Sequence, residues 1–569
     1  MPDLVGSNGT RTEFRIVGKR NIPGRLSYAI ATGKARFAAD VAFPNMLHAK
    51  YLRCPYGHAR IKSMDISQAR SLAGVVDIIT WEDPEIKELP SGNIPMLIEE
   101  ADMEDEEVGA IVVAESEEVC EQALKMIRVE WEVLPHILDP REGRKPDAPI
   151  LRPNPKGKGN VQTTVFSDGD IEAGFKEADH IIDFDWNLSL FSSHIPDPAV
   201  GLSWWFDDPL SREGKSLFIK GAYVTRGADQ LSKMYQVPRD KLYQNTIYQG
   251  GKYCDRGLRR ASLITPLLSR RTGRPVRMIN TSQNMYDITI PQRYTLVRLG
   301  FKNDGNITAV HSQVVGDAGV RGTSAFGITT DLRWNPFYTT KCLNLKTECD
   351  AVFTNTGRAY TSGQHWPYNW DELTVAEALI SEKLGMDPVD VAVKNIHGPS
   401  SQTDPSIPES FRLCVEMGKK AMNWQWHPAD TKKLADGRMH GISFRYQMCQ
   451  RHATETYQCT VAIKSDGRVY ILTRGPWGGI YGADACAMVV AEEMGAKIED
   501  LILLYDPRGL FTPLGGGSDG TTASAWVCKE AAVACRKLLL ERAAERPRLK
   551  PEDLDTRDSM VFVKSDPVK

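Results

Sequence analysis

Apolar residues recur along this chain with two periods, and the points where the period changes mark its elements. MLHAKYLRCP (Met46 to Pro55) and VVDIITWED (from Val75) read as strands, while SEEVCEQALKMIRVEWEVLP has helical spacing up to Ile127 and strict alternation after it. Two strands, a helix and a strand predict a small mixed-sheet α/β unit within residues 1–136. DPREGRKPDAPILRPNPKGKGN (Asp139 to Asn160) has no period and is rich in proline and charge, so residues 137–162 are expected to form a linker.

Residues 163–405 return to mixed signals. FIKGAY and TECDAVFTNT read as strands, and LVRLGFKNDGNITAVHSQVVGD reads as a hairpin turning at NDGN. TVAEALISEKLGM reads as a helix stopped by Gly385 and Pro388. A further unit, 406–569, repeats the theme: YQCTVAIKSDGRVYILTRG is a hairpin about Asp466-Gly467, followed by the helix ADACAMVVAEEMG. A long helix is then expected from about Thr521 to Arg546, and MVFVK is expected as a terminal strand. With no partner strand in view, its open edge would need cover from another chain.

Bulk composition narrows the function classes. The 569 residues hold 70 basic against 73 acidic side chains, a net charge of -3, which offers no electrostatic footprint for nucleic acid. The first twenty residues contain no apolar leader core, and no apolar run approaches the ~18 residues a membrane span needs. A cytoplasmic protein without a membrane span is the expectation. Eleven cysteines without a CxxC do not form a disulfide framework. The closest pairs, Cys342/Cys349, Cys449/Cys459 and Cys528/Cys535, fit no iron–sulfur spacing, so any clusters belong to another chain.

Three glycine-rich stretches carry the candidate chemistry. PLGGGSDGTTASAWVCKEAAVACRKLLLER runs directly into a helix, RGPWGGIYG precedes another, and YQGGKYCDRG follows a strand-like run. Glycines admit a ligand close to the backbone, and the free amides at a helix N-terminus favour an oxyanion. Each stretch alone also reads as a plain turn. Gly515, Gly517 and Gly520 match GxGxxG, but LILLY ends about ten residues too early for a dinucleotide fold, and a P-loop is excluded because GK[ST] is missing. Together the three point to one extended, oxygen-rich ligand.

Ordered along nearly the whole chain, these segments resemble the large subunit of the xanthine dehydrogenase/aldehyde oxidase family. TGKARFAADVAFPNMLHAKYLRCPYGHARIKSMDIS is similar to the family's opening, and TGRPVRM, VVGDAG, TNT, SEKLGMDPVDVAVKNI and VAEEMGAKIEDLILLYDP follow in family order before GGGSDGTT. The resemblance implies an α+β fold: an N-terminal hammerhead-like α/β domain followed by molybdopterin-binding α/β domains. It implies a molybdenum (or tungsten) molybdopterin cofactor, held through its dithiolene and extended to the cytosine dinucleotide form in many members. [2Fe-2S] and FAD would sit on partner subunits.

Carried over by position, Gly250, Gly251 and Tyr253 replace a GGGFGG loop, with Tyr253 where a phenylalanine lies beside the metal. Gly479, Ile480 and Tyr481 replace the GxGQG loop without its glutamine. Gly516, Gly517, Ser518, Gly520, Thr521, Thr522 and Ser524 correspond to the pterin- and phosphate-binding turn. His365, in AYTSGQHW, lines the implied substrate pocket as a candidate acid or base near neutral pH, and Thr361 stands where the family has an arginine. Other candidates are His194 with Asp197, Cys254, the aromatic run Trp366 to Trp370, and His440 with His452, each also explicable as turn or packing residues.

The family's catalytic glutamate lies in a GxGE motif that does not occur here, which implies a shortened or split subunit whose remaining segment a second chain supplies. The implied activity is a hydroxylase or dehydrogenase working with iron–sulfur and flavin subunits. The missing residues leave two alternatives open: a molybdenum-dependent hydratase, or a cofactor-less structural partner.

Overall fold

The computed structural model describes residues 14–19, 24, 27–90, 95–154, 157–189, 191–192, 198–209, 214–221, 227–245, 247–248, 250, 260–280, 288–290, 292–320, 336–359, 366–396, 406–446, 457–473, 482–504, 506, 508, 520–545 and 548–566. Alternation and helical spacing fold much as they read. Strands β1 (Leu47–Arg53), β2 (Ala59–Asp65), β3 (Val75–Thr80), β4 (Glu107–Ala114) and β5 (Arg128–Val133) surround helix α1 (Glu117–Met126). The Ser116 hydroxyl caps α1 by accepting from the Val119 amide at 3.2 Å. Cys120 and Ala123 turn its apolar stripe onto the buried side chains of Ile78, Val112 and Ala114.

These strands divide between two sheets. β2 and β5 pair with each other, with Glu100–Ala101 at the edge. The other three join β8 (Ala199–Phe206), β9 (Ser216–Gly221), β10 (Leu242–Asn245) and β11 (Val276–Asn280) in a seven-stranded sheet ordered β10-β9-β8-β11-β1-β4-β3. The join is the parallel pair β1–β11, with Leu47 opposite Val276. Helix α2 (Arg260–Thr272) covers this sheet and shares its core.

A second sheet of five strands contains the predicted hairpin. β12 (Arg293–Phe301) turns at Gly305, with φ +84°, into β13 (Ile307–Gly319), flanked by β14 (Leu345–Phe353), β6 (Val161–Asp168) and β7 (His180–Leu188). Helix α3 (Trp366–Leu384) packs Leu373, Ala376 and Ile380 on it.

The C-terminal unit follows α4 (Ser406–Met422). β15 (Cys459–Ile463) and β16 (Val469–Thr473) form the hairpin about Gly467, and α5 (Gly482–Met494) crosses to β17 (Leu501–Leu504), parallel to β16. Helix α6 (Gly520–Glu545) lies beside α5 over one core. A short N-terminal segment straps onto this unit. The buried Glu492 carboxylate accepts from the amides of Arg15, Ile16 and Val17 at 2.6–3.2 Å, and Ile16 enters the core.

One expectation is overturned. MVFVK does not end the chain as an unpartnered strand: β19 (Met560–Val563) pairs antiparallel with β18 (Leu554–Arg557). The turn places Asp558 and Ser559 at φ +53° and +65°, a two-residue hairpin geometry usually signalled by Asn-Gly or Asp-Gly. Without a glycine the signal was hidden.

Candidate functional site

Two helix N-termini meet at one edge of the C-terminal sheet. β16 and β17 run parallel and α5 links them, so the chain leaves both strands at the same edge. Cys486, one turn into α5, contacts Cys528, two turns into α6, which brings both helix starts to that edge. Two positive dipole ends at one edge, each with free first-turn amides, favour an anion there.

The first turns of α6 carry described candidates. Gly520 and Thr522 lie in the helix, and Thr521 is half-buried. Ser524 is completely buried, yet its Oγ has no hydrogen-bond partner among the described residues. A buried hydroxyl left without a partner costs about 1–3 kcal/mol, so one held at a helix start is a place waiting for a polar ligand group. Gly482 and Asp484 are buried in the first turn of α5.

Buried cations hold the described residues on either side of YQGGKYCD. Before it, Lys220 of β9 donates to the Ile247 carbonyl at 2.9 Å and to Asn245 Oδ1 at 3.2 Å. Gly250 follows, half-buried. After the loop, Arg260 opens α2, with Nη2 3.0 Å from Glu106 Oε1 and Nη1 donating to the Glu107 carbonyl at 3.0 Å. Sequence reasoning passed over both: Lys220 interrupts an apolar strand, and Arg260 hides in the polar-looking RGLRR.

Gly251, Tyr253, Cys254, His194, Asp197, Thr361, His365, His452, Gly478, Gly479, Ile480, Tyr481, and Gly515 to Ser518 lie outside the described residues. Trp366 to Trp370 lie in the first turns of α3. His440 pairs with His427, Nδ1 to Nε2 at 2.8 Å, in a half-buried loop. The nine described cysteines are free. Hydrogen bonding to the Cys528 sulfur and burial push the Cys459 and Cys486 thiols up.

VVGDAG and TNT, which sequence order alone had associated, bond to each other. Buried Asp317 accepts from Thr354 Oγ1 at 2.6 Å, Thr356 Oγ1 at 2.7 Å and the Gly319 amide at 2.8 Å. Burial pushes its carboxyl up to about 6, with those donors opposing. Glu377 of α3 is equally buried but receives one bond, from the Tyr446 hydroxyl at 2.8 Å, and burial takes it to about 8. Fewer donors leave burial less opposed.

Because the folded pKa of Glu377 lies above the unfolded one, the folded state holds its proton where the unfolded chain releases it. The associated stability is full below the ordinary carboxylate range and is lost as pH rises to about 8. Glu377→Gln, which stays neutral, is expected to flatten that decline by roughly 3 kcal/mol between pH 5 and pH 8, read from denaturant midpoints at both pH values. Parallel declines in the two proteins would refute the assignment.

Comparison with known proteins places this geometry. The family profile "Aldehyde oxidase and xanthine dehydrogenase, a/b hammerhead domain" matches residues 32–135, and "Molybdopterin cofactor-binding domain" matches residues 154–396. A probable xanthine dehydrogenase subunit of Bacillus subtilis is 27% identical over 65% of this chain and 49% of its own length. The "Nicotinate dehydrogenase large molybdopterin subunit" of Eubacterium barkeri is 23% identical over 68% of this chain and 90% of its own. The chain thus spans about half of the first relative and nearly all of the second. Quinoline 2-oxidoreductase from Pseudomonas putida 86 shares the fold, with a TM-score of 0.77 at 20% identity over 96% of this chain and 74% of that one. Among the described residues, no helix is long and apolar enough to cross a membrane.

Proposed function

Since the chain belongs to the aldehyde oxidase and xanthine dehydrogenase family, we propose that it is the molybdenum-cofactor-binding subunit of a multi-subunit oxidoreductase, a hydroxylase or dehydrogenase of small carbonyl or aromatic compounds with water as the oxygen source. The observation that carries this reading is the buried Ser524 hydroxyl at the start of α6, which has no hydrogen-bond partner among the described residues, on the edge where two helix N-termini meet. That donor set fits an extended pterin with a phosphate.

Gly516, Gly517, Ser518, Gly520, Thr521, Thr522 and Ser524 hold the phosphate and pterin in this reading. Gly250, Gly251, Tyr253, Gly479, Ile480 and Tyr481 would serve its metal end. When bound, the cofactor supplies the two-electron redox centre and the Lewis acidity that activates water. The chain's own residues position and shield it. Lys220 and Arg260 hold the described residues on either side of the Tyr253 segment, and the Arg293–Glu372 pair, 2.5 Å apart, ties the first turns of α3 to β12. His365 is the proposed acid–base group facing substrate.

Electrons leave through iron–sulfur and flavin subunits in this reading. Both relatives are named as single subunits, one of them a "large molybdopterin subunit", which supports an assembly of several chains.

Elemental analysis of the natively purified assembly, with pterin extraction, tests the proposal. About one molybdenum or tungsten per chain with a pterin is expected; folded material containing neither would leave a structural subunit. Ser524→Ala sharpens the test. Removing an unsatisfied buried hydroxyl leaves apoprotein stability unchanged or slightly raised, while cofactor occupancy falls several-fold. Full occupancy in Ser524→Ala would remove the serine from the site.

A further inference from the structure

A second cluster of donor atoms lies in the N-terminal unit, remote in sequence from every glycine loop. His58, just before β2, has an imidazole 12% exposed. Its Nδ1 is 2.9 Å from the Pro135 carbonyl. A carbonyl oxygen only accepts, so Nδ1 carries the hydrogen. Nε2 is thereby turned toward Glu100 Oε1 at 3.0 Å and Asp102 Oδ1 at 3.9 Å, and the three ligand atoms all lie within 4.8 Å of one another.

Two donors bound about 2.0–2.2 Å from one ion, at tetrahedral or octahedral angles, stand roughly 3.0–3.5 Å apart. The His58–Glu100 spacing falls in that range. Anchoring the far ring nitrogen on a backbone carbonyl is how metal-binding histidines are oriented.

The neighbouring groups hold the arrangement in place. The Asp102 amide donates to Glu106 Oε2 at 2.8 Å, and its carbonyl accepts from Asn355 Nδ2 at 2.8 Å. Arg60 takes the other oxygen of Glu100, with Nε 2.8 Å from Oε2, and leaves Oε1 to the imidazole side. Independently, an open surface groove of about 520 Å³ runs along Trp81, Leu97, Ile98, Glu99, Glu100 and Asp102. The two carboxylates of the triad thus border an open groove, from which water can complete an ion's shell.

We propose that His58, Glu100 and Asp102 bind a divalent transition-metal cation of the Zn²⁺ or Mn²⁺ class, separate from the cofactor of the glycine loops. One imidazole and two carboxylates form a borderline-to-hard donor set suited to those ions. The Arg60 guanidinium competes for the same negative charge and holds the affinity down.

Calorimetric titration of the chelator-stripped native assembly with Zn²⁺ alone tests the site. The expected result is a saturable event of one ion per chain that disappears in Asp102→Asn and His58→Gln, with molybdenum content unchanged. Arg60→Gln should tighten binding roughly fivefold by removing the competing charge. His58→Gln also loses the Pro135 contact, which puts the fold of the loop at risk. Asp102→Asn keeps both backbone anchors, so it decides alone if needed. No saturable event in the unmodified protein, the same stoichiometry in Asp102→Asn, or no gain in Arg60→Gln would each overturn the proposal.

Discussion

Arg260→Met is expected to destabilise the chain by roughly 3–5 kcal/mol, the usual cost of breaking a buried ion pair from one side. Arg260 is 7% exposed and Glu106 2%, and their charges meet at 3.0 Å between the N-terminal unit and α2. Glu107 adds a second carboxylate, bonded to Arg53 Nη2 at 3.3 Å and Asn280 Nδ2 at 2.8 Å, so the guanidinium sits at the centre of a network joining β1, β4 and β11. Methionine fills similar volume but leaves the Glu106 carboxylate buried without its cation. Glu106→Gln in the same chain should recover part of the loss, and that coupling separates a charge effect from a packing effect. Because Arg260 also closes the Tyr253 loop, molybdenum content should fall with stability. An unchanged unfolding midpoint, or additive losses in the double variant, would show that the network carries no such weight.

What the sequence disclosed follows the range of the interactions. NDGN and Asp466-Gly467 were legible because alternation on each side meets residues that tolerate positive φ, and Gly305 and Gly467 adopt it. The end of α3 was legible because Gly385 takes φ +68° just beyond it. The β18–β19 hairpin was not, because Asp558 and Ser559 adopt left-handed conformations without a glycine to announce them. Long-range pairing was also hidden. Nothing local in LHAKYLR says that Leu47 lies opposite Val276, since parallel pairing depends on a crossover rather than on a turn.

The site divides the same way. Glycine-rich stretches ahead of apolar helices are local features, so candidate loops could be named from composition and order. That the two helix starts share an edge was not local, because it depends on the parallel β16–β17 pair. Lys220, Arg260 and the His58 cluster involve charged residues that look like ordinary surface in one dimension, and partners up to 253 positions away give them meaning. Motif resemblance had grouped VVGDAG with TNT; only the geometry shows that they share one buried carboxylate.

Gly201→Val should lower stability by about 3 kcal/mol or more, since overpacking a tight contact forces backbone to move. Gly201 of β8 lies opposite Gly221 of β9, and together they form a smooth patch on which α2 rests. A Cβ at Gly201 would overlap the Ala261 carbonyl and stand 2.7 Å from the Ser262 amide nitrogen. At Gly221 it would stand 2.6 Å from Ser262 Oγ. The obstacle at position 201 is helix backbone, which cannot rotate away as a side chain can, so α2 must lift or the sheet must bend. Either movement displaces Arg260 at the helix start and with it the Tyr253 loop, linking a packing defect to loss of cofactor. Gly201→Ala tests the steric argument with the smallest possible group: it should already lower the unfolding midpoint and molybdenum content together, with Gly201→Val lowering both further. If Gly201→Ala folds with full stability and cofactor, α2 does not rest on this strand as closely as the structure places it.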